Sequence, residues 1–106
     1  MELAEEVYML VRLFPKEELY ALSAQLKRAC ISIPSNIAEG YSRNTTKDYI
    51  RFLYIARGSL SETQTQLLLC KRLNLVTDNQ VSIALNLSNE IGKMLNVIIY
   101  KLTPKS

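Results

Sequence analysis

The 106 residues contain no histidine and no tryptophan. Without an imidazole the chain has no side chain that ordinarily changes charge near neutral pH, so histidine acid–base catalysis and histidine metal sites are excluded. Only two cysteines occur, Cys30 and Cys70. A secreted disulfide scaffold would use more, at loop positions, and a four-thiolate zinc site would need a second pair. Both cysteines fall inside apolar helical patterns and read as reduced core residues. Three glycines and three prolines are too few for a chain rich in tight turns. No apolar run approaches the ~20 residues needed to cross a bilayer. The longest candidate, "LNVIIYKL", is broken by Asn96 and Lys101. Glu2, Glu5 and Glu6 exclude the basic start of a secretory signal. The expectation is a cytoplasmic protein with no membrane contact.

Apolar residues make up 48% of the chain, enough to exclude disorder. The length implies one domain spanning residues 1–106. Leucine, isoleucine, alanine, glutamate, lysine, arginine and glutamine are plentiful and favour helix. The formal net charge of +3 permits a nucleic-acid partner without requiring one.

Four segments carry helical period. In the first, Leu3, Val7, Leu10 and Phe14 share one face, and Pro15 should end the helix at Phe14. Pro15 suits the first turn of the second helix, with Glu17 and Glu18 following where the helix dipole favours acid. The second stripe is Leu19, Leu22, Leu26, Ala29, Ile33, Ile37 and Tyr41. Its phase agrees on both sides of Pro34, which predicts a continuous helix with a kink and an end at or just after Gly40. Ser32 or Ser35 could satisfy backbone groups freed by Pro34.

After the loop "SRNTTKD", Thr45 is the expected N-cap of the third helix, with Asp48 at capping distance. The third stripe is Tyr49, Leu53, Ala56, Leu60, Thr63, Leu67 and Cys70. Gly58 keeps its phase and reads equally as a close helix approach or a tolerated weak point. "LNLVTDNQ" closes that helix, and Thr77 with Gln80 forms a capping box for the fourth. The fourth stripe is Val81, Ala84, Ser88, Ile91, Leu95, Ile98 and Leu102. A second row, Ile83, Leu87, Met94 and Val97, exceeds what a lone bundle should expose. Long helices joined by short loops predict an all-α, antiparallel up-down four-helix bundle with a kinked second helix.

No phosphate-binding loop, dinucleotide fingerprint or nucleophile elbow is present. Ser32, Ser35 and Ser59 lack an evident base. No enzyme activity and no cofactor or metal are expected. Beside the apolar stripes runs a polar seam. It comprises Arg28, Ser32, Asn36 (or Ser35), Glu39 and Arg43 on the second helix, and Asp48, Arg51, Ser59, Glu62 and Gln66 on the third. It reads either as a solvated face with pairs such as Glu39–Arg43, or as a buried network in which Arg28 or Arg51 meets Glu39 or Glu62. Lys27, Arg43, Lys47 and Arg57 are the candidates for nucleic-acid contact, interleaved with Tyr41, Tyr49 and Tyr54. Basic and aromatic side chains together can hold phosphates and stack bases.

The segments "FPKEELYAL", "QLKRACISIPSNIAEG" and "RFLYIARGSLSE" resemble the bacterial four-helix-bundle family of 23S ribosomal RNA intervening-sequence proteins. That family also includes the accessory variability determinant of diversity-generating retroelements. The resemblance covers roughly residues 3 to 100. It implies a homopentameric ring and a role in binding RNA or DNA, or a nucleoprotein partner such as a reverse transcriptase. A protein-binding scaffold without nucleic-acid contact is the alternative. The family's signature residues fall on Arg28, Ser32, Pro34, Asn36, Glu39, Gly40, Arg51, Gly58, Ser59 and Glu62, which favours a structural network in the seam. Relatives usually carry another turn before the segment matching "ELAEEVY", so the native start is expected upstream or its place filled by a neighbouring subunit.

Overall fold

A computed structural model describes residues 2–14 and 20–104, the side chain of Tyr20 excepted. Four helices follow in order: α1 Glu2–Val11, α2 Tyr20–Tyr41, α3 Thr46–Arg72 and α4 Asp78–Leu102. They form an all-α four-helix bundle. The start of α2 at Pro15, with Glu17 and Glu18, lies outside the described residues.

Each helix end has a chemical cause. α1 stops at Val11 rather than Phe14, because its last turn tightens: Leu13 N–H donates to Leu10 O at 2.9 Å and Phe14 N–H to Val11 O at 3.1 Å. Such three-residue bonds satisfy orphan carbonyls at a terminus. α2 runs unbroken through Pro34 and ends at Tyr41. Neither serine hydroxyl reaches the Cys30 carbonyl, as Ser32 bonds Ser59 and Asn36 instead. Thr45 caps α3, its Oγ1 accepting from Asp48 N–H at 3.1 Å. At the other end Leu75 N–H reaches Cys70 O and Asn74 N–H reaches Lys71 O, with Asn74 at φ 59°. This is a Schellman closure with asparagine in the left-handed position that glycine usually takes. Thr77 and Gln80 form the reciprocal capping box of α4, at 2.8 and 3.2 Å.

α2 packs on α3, α3 on α4, and α1 fills the corner between α2 and α4. Ser32 pairs with Ser59 and Gly40 lies beside Phe52, while Arg57 bonds Asn96 and Gln64 bonds Ser88 and Asn89. Along each contact the partner numbers fall as the others rise, so α3 runs opposite to both α2 and α4.

The apolar stripes form the core. Leu3, Val7 and Leu10 dock α1, and six of the seven α3 stripe residues are buried, Tyr49 packing at the edge. Tyr41, placed at the end of the α2 stripe, is instead 78% exposed. The helix ends there, and its ring meets Tyr49 edge-on at 5.9 Å. Buried Thr63 and Ser88 are both satisfied: Thr63 Oγ1 donates to Ser59 O, and Ser88 Oγ donates to Leu85 O.

The glycines divide by role. Gly40 is buried, and a Cβ there would lie 2.6 Å from Phe52 Cβ. Gly58 meets nothing within 4 Å. Within the chain no helix approaches it, leaving it a weak point of exposed helix.

Candidate nucleic-acid interface

The α3–α4 register sets the charge map. Arg57 Nη1 donates to Asn96 Oδ1 at 3.1 Å, so five residues further along α4, Lys101 comes level with Phe52. The α2–α3 turn and the end of α4 therefore share one end of the bundle. Among the described residues that end carries Arg43, Lys47, Arg51, Arg57 and Lys101 against Glu39 and Asp48. The excess is +3, since the other six basic and six acidic residues among those described cancel. Four of the six tyrosines lie at this end too, among them Tyr41, Tyr54 and Tyr100, exposed by 78%, 47% and 70%.

The three arginines there are held rather than loose. The guanidinium of Arg43 bonds Glu39 Oε1 at 2.6 Å and lies 4.9 Å from the Phe52 ring centre. Arg51 approaches the same ring at 4.5 Å. One aromatic ring thus steadies two like charges that would otherwise repel. Arg57 lies 4.6 Å from the Tyr54 ring as it bonds Asn96. From that point a groove of about 440 Å³ runs between α3 and α4, lined by Arg57, Lys93, Gln64, Asn89 and Asn96, with no carboxylate among its lining residues.

Three of the four candidate contact residues, Arg43, Lys47 and Arg57, come together at this end. Lys27 does not. Its ammonium sits 5.1 Å over the Tyr8 ring, at the α1–α2 contact. It lies sixteen residues before Arg43, about 24 Å along the helix axis. Lys101 escapes sequence reasoning, because a lysine in a last helical turn is explained by the dipole alone until the register with α3 is known. Arg51, expected in the seam, joins the cationic end instead.

The seam itself divides. Ser32, Ser59 and Asn36 are joined: the two hydroxyls are 2.8 Å apart, and Asn36 Nδ2 donates to Ser32 O and Oγ. The expected pairing of Arg28 or Arg51 with Glu39 or Glu62 is absent. Glu39 pairs locally with Arg43, two residues past the end of α2, and Arg51 approaches Asp48 at 3.9 Å, all exposed. Ion pairs three or four residues apart form within one helix at little cost, whereas a cross-helix pair needs two long side chains held on facing sides. Exposed pairs of this kind contribute roughly 0.3–0.5 kcal/mol, so the large cost of removing a buried Glu39 does not arise. Arg28 and Glu62 line a polar groove between α2 and α3 without meeting.

Burial raises both thiols, Cys30 and Cys70, to about 11, so neither is a thiolate near neutral pH. Among the described residues no group of three or more cysteine, aspartate or glutamate side chains could hold a metal ion. No helix among them is long and apolar enough to cross a membrane.

Comparison with known proteins agrees with the architecture. The chain is similar to a crystal structure of a protein of unknown function from the S23 ribosomal protein family of Bacteroides thetaiotaomicron. The two are 32% identical, with a TM-score of 0.86 over 92% of each chain. No curated protein matches. The family of 23S rRNA-intervening sequence proteins matches residues 1–97, and the chain belongs to that family.

Proposed function

We propose that the protein is a non-enzymatic nucleic-acid-binding bundle that grips single-stranded RNA or DNA at its tyrosine-rich, cationic end. The observation that carries this reading is that the charge excess of the described residues lies at that end, five cations against two carboxylates. Exposed Tyr41 and Tyr54 offer stacking surfaces worth roughly 1–3 kcal/mol per base. Arg43, Lys47, Arg51 and Lys101 would hold the phosphates between stacked bases.

Binding is expected to fall with salt. Replacing Arg43 and Lys47 with alanine together should lower the slope of log affinity against log salt by about 0.7–0.9 for each phosphate no longer neutralised. Lys27→Ala should leave it nearly unchanged. Fluorescence anisotropy with labelled oligonucleotides at several salt concentrations reads both. Absence of binding by the parent protein at about 50 mM salt, where nonspecific electrostatics are strong, would overturn the proposal.

A second reading, homo-oligomerisation, is favoured by the outward face of α4. Ile83, Leu87, Met94 and Val97 lie there, three of them more than half exposed. With Glu90 and Lys101 they complete a heptad row suited to another helix. A ring of five, the assembly implied by the sequence resemblance, would repeat the cationic end around one rim. Sedimentation equilibrium is expected to give a multiple of 12.1 kDa, and Met94→Glu with Val97→Glu to return the monomer. A parent protein that sediments as a monomer at micromolar concentration would remove this reading and leave the first intact.

A further inference from the structure

The polar groove between α2 and α3 plays no part in the proposed nucleic-acid contact. It encloses about 400 Å³, within the range of small-ligand clefts, and is lined by Gln25, Arg28, Ala29, Ser32, Ser59, Glu62 and Gln66. Its hydrogen-bonding groups do not balance. Gln66 Oε1 is buried without a partner, the sole such side-chain atom among the described residues. A buried acceptor left unmatched is costly and calls for a cause.

The donors are also in excess. Ser32 and Ser59 possess two hydroxyl protons, and the 2.8 Å bond between them uses one. Asn36 Nδ2 donates to Ser32 Oγ and takes up no proton. Whichever serine donates, the other keeps an O–H without an acceptor among the described residues. Among those residues Arg28 forms no ion pair, and neither does Glu62, although both line the groove. The groove therefore offers a guanidinium and a hydroxyl as donors and a carboxylate as an acceptor, with the unmatched Gln66 oxygen buried in its wall.

We infer that this groove binds a small zwitterion of the α-amino acid class. Its carboxylate would bond Arg28 and the spare serine hydroxyl. Its ammonium would bond Glu62, and a turn of the Gln66 amide would bring the orphaned oxygen to it. Each charge would meet its opposite and each unmatched group a partner, in the charge-assisted bonds that contribute most to small-ligand affinity. An anion such as phosphate would satisfy the donors but leave Gln66 unmatched and approach Glu62 unfavourably. The site is separate from the cationic end, so its failure would not touch the nucleic-acid reading.

Saturation-transfer NMR and calorimetry on the full chain, against the free α-amino acids, provide the test. At least one is expected to saturate the protein at or below about 10 mM, a weak but specific affinity. Its N-acetyl form and its carboxamide, which each lack one charge, should bind at least about tenfold more weakly, the size of one charge-assisted hydrogen bond. Arg28→Gln and Glu62→Gln should each reduce binding by a similar factor while circular dichroism and oligonucleotide binding stay unchanged. No saturation by any free amino acid overturns the inference. So does equal binding of the blocked forms, or binding that survives both substitutions.

Discussion

Replacing Gly40 with alanine is expected to destabilise the protein by about 3 kcal/mol, at the upper end of what one inserted methyl group costs in a packed interior. The new Cβ would lie 2.6 Å from Phe52 Cβ, 3.0 Å from Tyr49 Cδ1 and 3.3 Å from the Tyr49 carbonyl oxygen. The first contact is with a side-chain atom fixed to the α3 backbone, so rotation cannot relieve it. The helices must part at the end where the cationic surface is built. The gain in helix propensity, about 1 kcal/mol for glycine to alanine, acts the other way and is outweighed. Gly58→Ala isolates that opposing effect, because nothing lies within 4 Å of the site. Urea unfolding of the two variants should therefore give opposite signs. A Gly40→Ala loss below about 0.5 kcal/mol would mean that α2 and α3 do not approach as closely as described.

Val7→Asp carries the other large expected effect, a loss of about 3–5 kcal/mol, typical of a buried charge without a partner. α1 is ten residues long, shorter than the ~12–15 at which isolated helices become even marginal. It is helical because Leu3, Val7 and Leu10 are held in the corner between α2 and α4, and Val7 is fully buried. A carboxylate there must either stay desolvated or pull α1 out, exposing the apolar faces beneath. The sign with pH follows. Burial would raise the carboxyl of the folded variant above its unfolded value near ~3.9, so stability is retained below that value and lost as pH rises. The deficit relative to wild type should shrink in acid. A loss under about 1 kcal/mol at neutral pH would show that α1 contributes little to the fold.

Much of this architecture is legible in the sequence, for a physical reason. Helical burial has a period, so the stripe from Leu53 to Cys70 can be read from spacing alone. Capping needs particular side chains, so Thr45, Thr77 and Gln80 announce themselves. Continuity through Pro34 follows from the unbroken apolar phase. What spacing does not carry is the register between helices. The grouping of Lys101 with Arg51 depends on how far α4 has slid along α3. The expected pairing of Arg28 or Arg51 with Glu39 or Glu62 fails for the same reason. Gly40 and Gly58 look alike as letters, and only the neighbouring helix shows that one is a contact and the other a gap. Asn74 gives little signal, because asparagine is a less common occupant of the left-handed position than glycine.

The corner position of α1 also bears on the order in which the molecule assembles. α2 and α3 are joined by four residues, so their hairpin closes a short loop at small entropic cost. α1 must find α4 across an intervening chain of more than sixty residues. Local pairings form faster than distant ones, so the α2–α3 hairpin should be in place before α1 arrives. In reverse, α1 is the part most easily released while the other three helices remain together. Its amides should exchange with solvent through that partial opening, at a lower free energy than the amides of Leu53 and Leu60, which wait for the whole bundle to come apart.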